Sequence, residues 1–132
     1  MRDVVGTWRL VRASATNEVG GPAAYPPYGG ENAQGRVTLG ADGRMMAVLC
    51  DGTMTMGDGR TREYLSYCGN FTYDGRQLII KVDAASDPAR LNTEQVRDVS
   101  FEDDLMVLRP PLQAYRGAPE QRVLVWKQIA KV

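Results

Sequence analysis

Gln95 and Arg97 stand two residues apart in TEQVRDVSF. On an extended chain alternate side chains share a face, so Thr93, Gln95, Arg97, Val99 and Phe101 project together, opposite Glu94, Val96, Asp98 and Ser100. The face that ends in Val99 and Phe101 is the one to bury, and it draws Gln95 and Arg97 inward. A buried guanidinium is costly unless an anion or a dipole answers it. Arg97 could therefore hold a ligand carboxylate, phenolate or enolate, with Gln95 beside it as donor and acceptor. A structural cap satisfies the same requirement, with Arg97 or Arg122 stacked on Trp8.

YLSYCGNFTYDG gives a second face of Leu65, Tyr67, Gly69, Phe71 and Tyr73. Tyr67 would put a hydroxyl into an apolar interior, where it can orient a carbonyl or donate a proton, or simply fill the core. Ligand contacts are expected from Tyr25, Tyr28, Met46, Tyr64, Phe71, Gln95 and Trp126. The acidic candidates are Glu63, Glu94 and Asp98, and Glu94 lies next to the Gln95/Arg97 face. Thioethers adapt to irregular apolar shapes, and Met54 and Met56 sit in a glycine-flanked loop suited to a lid.

Several chemistries are excluded or disfavoured. The chain has no histidine, which removes Ser-His and Cys-His nucleophile systems and the commonest zinc ligand. No metal or cofactor is implied. Sixteen Lys and Arg balance sixteen Asp and Glu, against the clustered cation excess that phosphate backbones demand, so nucleic acid is not expected as a partner. Cys50 and Cys68 form no CxxC pair and read as buried free thiols. No apolar run approaches bilayer length, and MRDVVGTWRL has no basic segment followed by a long apolar one. The expectation is a cytoplasmic protein without a membrane partner.

The elements that must position these groups are short and strand-like, separated by turn signals. Expected strands cover about 4–13, 34–40, 44–50, 65–73, 76–83, 93–101, 105–109 and 121–129. Asp42-Gly43, Asp74-Gly75 and Glu102-Asp103-Asp104 supply tight hairpin turns. Eight antiparallel strands in simple order close into an up-and-down barrel, with a two-sheet sandwich as the alternative. Closure would bring Trp8 and Trp126 side by side. The long connections, 17–33, 51–64, 84–92 and 110–120, would gather at one rim, and YPPYGG would belong to it.

In these stretches, GTWRLV, YPPYG, the ADGRMMA hairpin, YLSYCGNFTYDG, TEQVRDVSF and VLVWK, the single-domain chain resembles the lipocalin-like domain family, small bacterial and fungal calycin-type β-barrels. The resemblance implies an all-β, eight-stranded antiparallel barrel. It also implies an alternative function as a cofactor-independent isomerase, cyclase or lyase on a polyketide-like or similar small substrate. Tyr67 or Glu94 would then move a proton while Arg97 steadies developing negative charge. Where members of that family often carry histidine, this chain has Ile79-Ile80-Lys81, so no imidazole role carries over.

The residues themselves point first to a binding module for a small hydrophobic or aromatic molecule. A fully packed barrel serving as a scaffold stays open. So does a homodimer.

Overall fold

A computed structural model describes residues 3–17, 19–23, 26–115 and 118–131. The strands are β1 (Gly6–Asn17), β2 (Ala33–Leu39), β3 (Arg44–Asp51), β4 (Tyr64–Tyr73), β5 (Gln77–Ala85), β6 (Glu94–Glu102), β7 (Leu105–Arg109), β8 (Gln113–Tyr115) and β9 (Ala118–Ala130). Each of β1 to β6 pairs antiparallel with its successor, β7 pairs with β9, and β9 pairs with β1. The result is the closed eight-stranded up-and-down barrel that the turn pattern predicts. β8 lies outside that count, on the β9 residues beyond the reach of β7. Pro110 and Pro111 separate β7 from β8, and neither prolyl nitrogen has a hydrogen to give the ladder.

The turns form as their chemistry requires. Gly43 and Gly75 take positive φ, and the preceding aspartates stitch each turn. Asp42 Oδ1 accepts from the Arg44 amide at 3.0 Å, and Asp74 Oδ1 accepts from the Arg76 and Gln77 amides at 2.8 and 2.7 Å. Those amide bonds, Gln77's first, hold the Asp74 carboxyl below its ordinary pKa. Strand alternation then puts all four long connections at the opposite rim.

Register irregularities in two strand pairs shape the wall. β1 runs four residues past the expected end and changes partner on the way. Its residues 6–9 pair with β2, whereas the stretch beyond Arg9 has β9 as its strand partner and adds an isolated bridge from Thr16 to Pro22. A bulge between Leu10 and Arg12 shifts the phase, so Trp8, Leu10 and then Ala13 face inward. The β1–β9 register also shifts between Thr7 and Trp8, and a further bulge lies between β4 and β5 at Cys68/Gly69.

The core joins Val4, Trp8, Leu39, Leu78, Ile80 and Met106 among others. Trp8 donates its indole N–H to the Val4 carbonyl at 2.9 Å, which ties the segment before β1 to the barrel. Arg122 covers the Tyr28 ring, with 5.4 Å from guanidinium carbon to ring centroid. Cys50 and Cys68 are free thiols, but half-buried rather than buried. Among the described residues no helix is long and apolar enough to cross a membrane.

Candidate functional site

Inside the barrel, side chains leave a cavity of about 40 Å³. A single water needs about 10–15 Å³ on this measure, so the space holds a few waters. Its apolar wall includes Val37, Met45, Leu49, Leu78, Ile80 and Trp126, while Tyr28, Tyr67, Arg90, Arg97 and Arg122 supply the polar groups.

Arg97 is placed by β6. Its register partner is Leu78, and Gln95 pairs with Ile80, so the polar pair sits between two fully buried aliphatics. Arg97 is 7% exposed. Its Nη2 donates to Gln95 Oε1 and its Nη1 to the Val96 carbonyl. Arg90 comes from the short 3-10 turn Pro88–Arg90 and donates from Nη1 to the same Gln95 oxygen at 2.7 Å. Two guanidinium groups thus share one neutral acceptor.

Arg122 has different company. Its Nη1 donates to Glu63 Oε2 at 2.9 Å, and its Nε lies 3.6 Å from Glu120 Oε1. Both Arg122 and Glu120 are buried. The other Glu63 oxygen accepts the Tyr28 amide at 2.8 Å. One carboxylate therefore joins the guanidinium at the rim to the backbone of the YPPYGG segment.

That segment answers why aromatics, prolines and glycines cluster before β2. Tyr28, Gly29 and Gly30 all have positive φ inside Pro27–Asn32, a conformation that costs a non-glycine residue about 1–3 kcal/mol and persists only where its surroundings enforce it. The enforcing contacts are the Glu63 bond and Asp51. A Cβ at Gly29 would overlap the Asp51 carboxylate. Asp51 is buried and accepts the Thr53 amide at 2.9 Å, and its carboxyl is held below its ordinary pKa first by the Thr53 side-chain hydrogen bond. Tyr28 is thereby turned down onto the cavity.

Burial, then the Glu63 charge, pushes the Tyr28 phenol up to about 12 from 10.0. An acid whose folded pKa lies above its unfolded one favours the fold while protonated. Its contribution is complete below pH 10 and fades as pH rises through 12. Tyr28→Phe is expected to abolish about 2–3 kcal/mol of alkaline stability loss over that interval, at roughly 1.4 kcal/mol per pKa unit. Denaturant melts of both proteins at the two ends of the window test this; parallel losses would show that Tyr28 ionises alike in both states.

The other expected site residues divide. Tyr67, Arg97, Tyr28 and Trp126 line the cavity. Gln95 stands behind it as the link between Arg90 and Arg97. Phe71 faces inward but packs into the core. Three expectations are corrected. Met46 is 67% exposed and Tyr64 54% exposed on the outer wall, and Glu94 is exposed opposite Gln95. Met45 takes the place expected of Met46. Tyr25 lies outside the described residues.

The lid is also different from the one expected. Met54 is exposed and does not line the cavity, and Tyr28 covers it instead. The reading from sequence missed Arg90 as a cavity residue and Glu63 as the partner of Arg122. Among the described residues no group of three or more Cys, Asp or Glu side chains is placed to hold a metal ion.

A scan against protein-family models finds no match for the chain, and neither does a search of curated proteins.

Proposed function

We propose that the barrel binds a small hydrophobic or aromatic molecule, oriented by Arg97, Tyr67 and Trp126. The supporting observation is Trp126. Its side chain lines the cavity and is 2% exposed, yet its indole N–H has no acceptor among the described residues. Leaving such a donor unsatisfied costs about 1–3 kcal/mol, which a carbonyl or ether oxygen of a bound molecule would recover. The surrounding aliphatic wall suits the rest of that molecule.

At about 40 Å³ the cavity is well below ligand size, since pockets for small molecules span about 300–1,000 Å³. Admission therefore requires displacement of a lining group, and Tyr28, on a rim segment with positive φ at three successive residues, is the candidate. The same resemblance that suggests a lipocalin-like family allows a cofactor-independent isomerase, cyclase or lyase. That reading now rests on Tyr67 and Arg97 without Glu94, and binding needs fewer groups.

The indole resonances test the binding reading. Titrating ¹⁵N-labelled protein with acetophenone and with benzoate is expected to shift the Trp126 indole peak saturably, and the Trp8 indole, already bonded to Val4, much less. If neither compound moves Trp126 up to its solubility limit, the barrel is a packed scaffold and the proposal fails.

A further inference from the structure

We infer that the ligand is an organic anion, a carboxylate or enolate oxyanion on an apolar body, with its charged head seated against Arg97 and Arg90. The inference rests on the cavity reading above and names the class of molecule the cavity takes.

Charge balance carries the argument. Among the described residues Arg122 is answered by Glu63 and Glu120, whereas no carboxylate lies within 4.0 Å of the Arg97 guanidinium. Among the described residues Arg90 has only the Asp87 carboxylate, at the 4.0 Å limit. Arg97 and Arg90 instead converge on the Gln95 amide oxygen. Like charges in a low-dielectric setting repel, and a buried cation without a counter-ion is costly, so an arrangement of this kind is stable in use only when an anion completes it.

The cavity also offers more donors than acceptors. Arg97, Arg90 and the Trp126 indole all offer N–H groups, the Tyr28 and Tyr67 hydroxyls can donate as well as accept, and Gln95 Oε1 is already engaged twice. A ligand that presents acceptors only fits this inventory, as a carboxylate does, and a planar carboxylate can accept two parallel bonds from a guanidinium. The aliphatic wall selects against a bare, fully hydrated inorganic ion.

Calorimetric titration with benzoate and its neutral isostere benzamide tests the class. Benzoate is expected to bind on the order of tenfold tighter or better, and the gap is expected to close in Arg97→Met. Arg90→Met, at a partly exposed position, should narrow it. The melting temperature of ligand-free Arg97→Met should be unchanged or higher, because an uncompensated charge has been removed.

Equal affinity for the two compounds, or a gap that survives both substitutions, overturns the anion inference and leaves the cavity reading intact. A lowered melting temperature in Arg97→Met would make Arg97 a structural cap and would equally overturn it. Displacement of benzoate by equimolar sulfate would overturn the apolar-acid class in favour of a generic anion site. Failure of both benzoate and benzamide to bind condemns the cavity reading itself.

Discussion

Gly69→Ala is expected to destabilise the barrel by about 3 kcal/mol or more, at the upper end of what overpacking does. Gly69 sits at the bulge between β4 and β5. A methyl group built there overlaps the Lys81 carbonyl oxygen and presses on the carbonyl carbon at 2.7 Å and on the Val82 Cα at 3.0 Å. All three are backbone atoms, so no rotamer change relieves the overlap and the ladder must open. The bulge also sets the phase of Tyr67, which pairs with Ala85 just beyond it. The variant should therefore melt roughly 10 °C lower and lose affinity for any ligand that Tyr67 orients. A melting temperature within a degree or two of the parent would mean that the bulge can slide.

Arg122→Met is expected to cost a similar amount, about 3 kcal/mol at neutral pH. Methionine fills much of the same volume, so the loss is electrostatic: Glu120, 5% exposed, and Glu63 would be left without their guanidinium. Breaking a buried pair from one side typically costs about 3–5 kcal/mol, because the surviving charge stays buried. Adding Glu120→Gln to the same protein should restore a substantial part, and the departure from additivity measures the coupling. If the single variant is neutral in denaturant melts, the rim network adds nothing to stability. Tyr28 would lose its cation contact in either variant, so both should also show a less rigid rim by hydrogen exchange at the Tyr28 amide.

The architecture was legible because turn chemistry is local. Asp42-Gly43 and Asp74-Gly75 announce their hairpins whatever the rest of the chain does, and two such hairpins in simple order restrict the topology to very few choices. The inward face of β6 was legible too, since only one of its two faces ends in Val99 and Phe101. β3 offered no such asymmetry. Met45, Ala47 and Leu49 alternate with Met46, Val48 and Cys50, apolar on both faces, so alternation alone could not say which methionine points inward; pairing with β2 and β4 decides it.

The remaining site residues depend on contacts distant in sequence. Glu63 is one of several carboxylates in the chain until the loop before β4 brings it beside Arg122, 59 positions away. Arg90 reads as a loop cation until the Pro88–Arg90 turn folds it back over Gln95. The bulge in β1 is invisible for a similar reason. The need for an extra residue at Val11 arises only from the register with β9.

The partner switch along β1 bears on how the chain is made. Ring closure joins Thr7 to Ala130, nearly the whole chain apart, and beyond Arg9 β1 has no other strand to pair with among the described residues. On the ribosome, β1 must wait with its hydrogen-bonding edge bare until β9 has emerged. Such long-range pairing makes for slow folding and a nascent chain at risk of sticking to others. Truncation within β9 should therefore leave a chaperone-dependent, aggregating product rather than a looser barrel.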